Sequence, residues 1–73
     1  MASRRLSNKA DGYIFEAYYQ DREFALEVAR ALYDVRELVR LSSKTRSIRI
    51  VASRIEDLIT AVDIIESCEL RRS

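Results

Sequence analysis

The amino-acid sequence predicts an α+β fold, namely a single two-layer domain of β-α-β-β-α order in which two helices cover a three-stranded antiparallel sheet. Three observations support this prediction. Apolar and polar residues alternate in two segments, and apolar residues recur at helical spacing in two others. The 73 residues also include no proline and one glycine, so the connections are short. We interpret residues 1–10 as a flexible basic tail and residues 11–73 as the domain.

The first half of the domain combines one strand with one helix. The strand follows Asp11-Gly12 and turns Tyr13, Phe15, Ala17 and Tyr19 to one side. Asp21 then occupies an N-cap position, and a helix is predicted over about 21–34. Its apolar face is formed by Phe24, Val28, Ala31, Leu32 and Val35.

Residues 36–52 allow two interpretations. In the first, residues 37–41 form a second strand, and the polar turn 42–45 joins it to a third strand over 46–52. In the second, the first helix continues to Leu41, because no glycine or proline stops it. The hairpin is favoured, because a lone strand over 46–52 would leave a two-stranded sheet that is hard to stabilise.

The second helix is predicted over about 54–70. Ser53 and Glu56 have the S-x-x-E spacing of a capping box, which marks a helix start. The apolar arc of this helix is wider than packing on one side requires. We assign to a protein interface the residues Ile55, Leu58, Ala61, Val62, Ile64, Ile65 and Cys68. A chain this short often completes its core with a partner, so we expect a dimer; the alternative is that the other helix covers part of the arc.

The composition argues against several kinds of active site. With no histidine, the commonest general base near neutral pH is absent. A single glycine excludes the glycine-rich loops that hold phosphates and dinucleotides. Cys68 lies among apolar neighbours, which is typical of a small buried side chain. We therefore expect no enzyme activity, no cofactor and no metal.

The net charge is only +1, but it is unevenly distributed. Residues 36–54 hold six basic side chains against one acidic side chain. If the hairpin forms, Arg40 and Arg49 share the outer face of the sheet near Tyr18, with Lys44 and Arg46 at the turn. These four basic residues are candidate RNA contacts, because basic groups beside an aromatic ring suit phosphate pairing and base stacking. The alternative is a solvated face whose charges prevent aggregation.

The N-terminus and the apolar segments bear on location. Residues 1–10 are basic, but no apolar stretch of the secretory type follows them. No apolar run approaches the length of about 20 residues that a bilayer requires. We expect a cytoplasmic protein with no membrane partner.

Three segments resemble a known family. They are the strand leading into Asp21-Arg22-Glu23-Phe24-Ala25 and the helix through Ala29-Arg30-Ala31-Leu32, the strand Ser47-Ile48-Arg49-Ile50-Val51-Ala52, and the helix from Asp57 to Ile65. Together they resemble the small Pcc/CTAG family subunit of the KEOPS complex, which carries out threonylcarbamoyladenosine modification of tRNA. Ile59 and Asp63 stand where that family shows Arg and Asn, so a divergent paralogue is also compatible.

The resemblance implies a non-catalytic scaffold subunit. Such a subunit dimerises with itself or with a paralogue, docks through its helices onto an ATP-dependent catalytic subunit, and helps to build the assembly that holds tRNA. Two other functions remain open. One is a free-standing small nucleic-acid-binding regulator, although a ribbon-helix-helix needs two helices after its strand and only one follows Ala52. The other is a small protein-interaction module of the antitoxin or inhibitor kind.

Overall fold

Four strands and two α-helices make up the part of the chain that the structure describes. The computed structural model describes residues 3–9 and 12–72. In chain order the elements are β1 (Ser3–Lys9), β2 (Gly12–Tyr18), α1 (Arg22–Leu32), a 3-10 helix (Tyr33–Val35), β3 (Arg40–Ser43), β4 (Ser47–Ala52) and α2 (Ile55–Arg72). The predicted α+β class is confirmed. Neither of the two described α-helices is long and apolar enough to cross a membrane.

The sheet has four strands where three were predicted. Its order is β1-β2-β4-β3, and every neighbouring pair is antiparallel. β1 lies in the segment interpreted as a flexible tail, and it pairs with β2 along its whole length. The sequence does not indicate this strand, because Leu6 is its one apolar residue and an alternating pattern needs several. Residues 1, 2 and 10 of that segment lie outside the described residues.

Both helices pack on one face of the sheet. The register places Phe15 opposite Ile50 and Ala17 opposite Ile48, and all four side chains are buried. The helices cover them with Phe24, Ala25, Val28, Leu32, Leu58, Ala61, Ile65 and Cys68. Burial of a Val, Leu, Ile or Phe side chain contributes about 1.5–3 kcal/mol, so this layer holds the domain together.

Local backbone and side-chain contacts determine where α1 begins and ends. The carboxylate of Asp21 accepts a hydrogen bond from the backbone N–H of Glu23 at 2.9 Å, which confirms the predicted N-cap. After Leu32 the chain tightens into the 3-10 helix, and Val39 then enters the core with 5% of its surface exposed. β3 follows and pairs with β4. The hairpin interpretation is therefore confirmed, but its first strand covers Arg40–Ser43 rather than residues 37–41, and its turn is correspondingly later. The continuation of the first helix to Leu41 is wrong.

α2 begins later than the predicted capping box requires. The carbonyl of Arg54 accepts from the N–H of Leu58 at 3.2 Å, so Arg54 rather than Ser53 precedes the first turn. The carboxylate of Glu56 pairs with the Arg54 guanidinium. The helix continues to Arg72, whose guanidinium pairs with Asp21 at the start of α1. An ion pair thus joins the end of one helix to the beginning of the other.

Candidate functional site

The face of the sheet opposite the helices is not covered by any described element. Alternation along the strands directs every second side chain to this side. We call it the outer face, and it carries Arg5, Ser7, Ile14, Glu16, Tyr18, Arg40, Ser42, Arg49 and Val51. Guanidinium groups from three strands therefore share one surface.

The structure places the four predicted basic residues along one hairpin, formed by β3 and β4. Arg40 of β3 and Arg49 of β4 lie on the outer face, as the sequence indicates. Lys44 and Arg46 lie in the β3–β4 turn, where the Lys44 N–H donates to the Ser47 carbonyl at 2.9 Å. All four side chains are exposed. Among the described residues, the ion pairs that form involve other arginines, so these four charges are available to a ligand.

Arg5 is a third basic residue of the outer face, and the sequence analysis missed it. It is opposite Glu16 in the register, and Glu16 is opposite Arg49 on its other side. The Tyr18 hydroxyl donates to the same carboxylate at 3.3 Å. Arg5 reaches the outer face only because β1 pairs with β2. The sequence of residues 1–10, interpreted as a tail, gives no indication of this pairing.

Ile14 and Val51 form an apolar centre on the outer face. They are opposite each other in the register, and Ile14 is only 6% exposed although no helix lies over it. A shallow cleft beside them is also lined by Leu38, Arg40 and Arg49. The outer face can therefore contact a flat or apolar group while guanidinium groups pair with an anion.

The helix residues assigned to an interface divide into two groups. Leu58, Ala61, Ile65 and Cys68 are at most 3% exposed in the single chain. They belong to the domain's own core, and their assignment to a partner interface is corrected. The sequence could not show this, because an apolar arc on a helical wheel does not reveal that α1 packs beside it.

Ile64 lies between the two helices rather than on a free surface. It is half-buried and lines a shallow cleft with Ala31, Asp34, Asp63, Ser67 and Arg71. Packing against α1 therefore covers most of the arc that appeared surplus in the sequence. Ile64 is a poor candidate for an interface hot spot.

An apolar stripe on the opposite side of α2 is exposed. Ile55 is 40% and Ile59 54% exposed, and the neighbouring Val62 is half-buried. We call these three residues the α2 flank. Glu66 is charged but lies on the same face of α2, because it follows Val62 by four residues and Ile59 by seven. Its carboxylate accepts from Arg4 of β1 at 3.4 Å, so the α2 flank faces the side of the molecule where β1 lies.

Arg4, Glu66, Glu69 and Tyr19 form a polar cluster between β1 and α2. The Tyr19 hydroxyl donates to Glu69 at 3.2 Å, and Arg4 pairs with both glutamates. Burial and the adjacent Glu69 raise the pKa of Tyr19 far above its ordinary value. Burial lowers the pKa of Arg4, but hydrogen bonds and charges from Glu69 and Glu66 outweigh it and raise the pKa overall. The cluster therefore anchors β1 to α2 with fixed charges.

The described residues offer no metal centre. No group of three or more cysteine, aspartate or glutamate side chains is placed to hold an ion in residues 3–9 and 12–72. Cys68 is 1% exposed, and its sulfur accepts from Arg71 at 3.4 Å. The arrangement suits binding at two surfaces, the basic outer face and the apolar α2 flank.

Comparison with known proteins gives no further identification, because no protein family, no curated protein and no solved structure matches this chain.

Proposed function

We propose that this chain is a non-catalytic, dimeric scaffold subunit of a KEOPS-like complex that supports threonylcarbamoyladenosine modification of tRNA. The observation that carries the proposal is the α2 flank, an exposed apolar stripe next to the open edge of the sheet. The element order from β2 to α2 is the order that the resemblance to the Pcc/CTAG subunit implies, which also supports the proposal.

The α2 flank has the chemistry of a docking site for a partner helix. Removing apolar surface from water contributes about 25 cal/mol per Å², so covering Ile55 and Ile59 favours association. Glu56 and Asp63 are exposed and lie within four residues of Ile59, so they border the flank. A partner helix with apolar residues flanked by basic ones would complement this surface. In our proposal the ATP-dependent catalytic subunit supplies that helix.

Replacing Ile59 by aspartate tests this function. A carboxylate at the centre of the α2 flank would have to be buried without a partner, so we expect roughly a tenfold or greater loss of affinity for the catalytic subunit. Threonylcarbamoyl transfer by the reconstituted complex should fall in parallel. The domain itself should stay folded by circular dichroism, because Ile59 is 54% exposed in the single chain.

Leu26→Asp is the matched control, because Leu26 is 52% exposed on α1. It introduces the same charge at a similar exposure away from the α2 flank, and it should leave both affinity and transfer near the wild-type values. Full activity of the Ile59→Asp complex would contradict the proposal.

A second candidate function is that of a free-standing small nucleic-acid-binding regulator. The observation that favours it is the outer face, where Arg5, Arg40 and Arg49 carry charges that no described carboxylate pairs with. A regulator of this kind would bind RNA without any other subunit, whereas the scaffold would co-purify with an ATP-dependent catalytic subunit from its native cell. Identification of the co-purified peptides separates the two. A protein-interaction module of the antitoxin or inhibitor kind would yield a different partner.

A further inference from the structure

β1 is an edge strand whose outer backbone groups have no strand beside them in the described chain. It spans seven residues and pairs only with β2. Leu6 is its central residue, points to the helix side of the sheet opposite Phe15, and is 66% exposed. An open edge with an exposed leucine at its midpoint is a template for another strand.

We propose that β1 pairs antiparallel with β1 of a second copy of this chain, about a two-fold axis at Leu6. The two sheets then become one continuous sheet with all helices on the same side. The inference rests on the proposed dimeric scaffold and names its self-association surface. It replaces the interface that the sequence placed on α2.

The charges of β1 fit this register. With Leu6 opposite Leu6 of the second copy, Arg4 is opposite Asn8 and Arg5 is opposite Ser7. No arginine then faces an arginine directly across the pair, where like charges would destabilise it. The pairing brings two exposed leucines together on the helix side.

Other registers are less favourable. A shift of two residues in one direction places Arg5 opposite Arg5, and a shift of two in the other direction leaves Leu6 opposite Asn8 in a shorter ladder. A shift of one residue pairs a helix-side position with an outer-face position, so the two helix layers would lie on opposite sides of the sheet. The Leu6-centred register is the one that avoids all three costs.

The α2 flank remains open in this dimer. α2 packs over β2 and β4, so about four strand spacings, or about 19 Å, separate the two α2 helices. Helices in direct contact are about 8–10 Å apart. The two flanks therefore do not touch, so Ile59 is not part of the proposed self-association surface. Self-association and docking of the catalytic subunit can thus be tested separately.

A cysteine at position 6 provides a direct test. Residues directly opposite in an antiparallel pair have Cα atoms about 4.5–5.5 Å apart, which is within the range of a disulfide. Leu6→Cys should cross-link the dimer under mild oxidation, and Cys68 should not compete because it is 1% exposed. Asn8→Cys is the matched control: in the proposed register the two introduced sulfurs lie about 14 Å apart along the strands and should not link. Equal cross-linking of both variants would overturn the register.

Charge exchange at the same position tests the association itself. Leu6→Lys and Leu6→Glu should each weaken dimerisation by roughly tenfold in sedimentation equilibrium, because like charges meet at the two-fold axis. An equimolar mixture of the two should recover the dimer. A wild-type chain that stays monomeric, or a Leu6→Lys variant that dimerises as the wild type does, would overturn the proposal. These readouts do not involve tRNA modification, so their failure is distinct from failure of the scaffold function.

Discussion

Gly12 is the residue at which the backbone tolerates the least change. Its φ is +128°, in the region that favours glycine, and it begins β2 opposite Lys9. A Cβ at this position would lie 2.4 Å from the carbonyl oxygen of Ala52, which is a backbone atom that cannot move aside. The single glycine of the chain therefore sets the close approach of β2 to the end of β4.

Replacing Gly12 by alanine should destabilise the domain by about 1–3 kcal/mol, because the backbone strain and the contact with Ala52 both oppose folding. Urea denaturation followed by circular dichroism measures the loss. Asn8→Ala in the neighbouring strand serves as the control, because Asn8 is exposed and the change keeps the backbone region. Equal stability of the two variants would contradict the steric argument.

At the scale of elements, the termini of the two helices hold each other. Asp21 caps α1 and pairs with Arg72, the last residue of α2, while the Arg72 guanidinium lies 4.7 Å from the centre of the Phe24 ring. An acid at a helix N-terminus and a base at a helix C-terminus also complement the two helix dipoles. This contact holds the last turn of α2 against the beginning of α1.

The ion pair between Asp21 and Arg72 makes the free energy of unfolding depend on pH. Removal from solvent alone would raise the pKa of the Asp21 carboxyl. Backbone hydrogen bonds from Glu23 and Phe24 and the charge of Arg72 outweigh it and lower this pKa below its ordinary value of 3.8. A lowered folded-state pKa means that the stabilisation is complete above the ordinary carboxyl pKa and is lost as the pH falls through the lowered one.

Asp21→Asn should therefore lower the midpoint of thermal unfolding at pH 7, since asparagine keeps the cap but loses the charge. The gap from the wild type should close as the pH falls below 3.8. Asp34→Asn controls for the change in net charge, because Asp34 is exposed in the 3-10 helix. A gap that is independent of pH would show that the charge of Asp21 has no part in the contact.

The elements also show how far sequence reasoning reaches. Period-two and helical spacing predict β2, β4 and the two helices, because each of these elements buries one face in a core that the pattern reflects. The sequence pattern does not predict β1, because this exposed edge strand is held by backbone pairing and by Arg4, and neither leaves a hydrophobic pattern. The candidate site divides the same way. Arg40 and Arg49 follow from alternation in a predicted hairpin, whereas Arg5 and Leu6 depend on a pairing that only the structure shows.

At the scale of the whole molecule, charge separates the surfaces that the fold creates. The outer face and the β3–β4 turn are basic, while residues 55–70 of the helix layer carry five acids and no base. A net charge of +1 therefore conceals one surface suited to anions and another suited to basic partners. The proposed scaffold function and the alternative RNA-binding function would use opposite sides of the same sheet.

The contribution of the outer face to RNA binding can be measured through salt. Each phosphate contact with a single strand releases about 0.7 of a counterion, so replacing the outer-face residues Arg5, Arg40 and Arg49 together by serine should reduce the slope of log affinity against log salt by about 2. Replacing Arg22, Arg30 and Arg71 by serine removes the same charge from the helix layer and should change the slope much less, because those exposed side chains lie away from the outer face. Fluorescence anisotropy with a labelled single-stranded RNA, titrated from low salt, gives both slopes. Equal slopes for the two triple variants would assign the outer-face arginines to a solvated surface that keeps the sheet from aggregating.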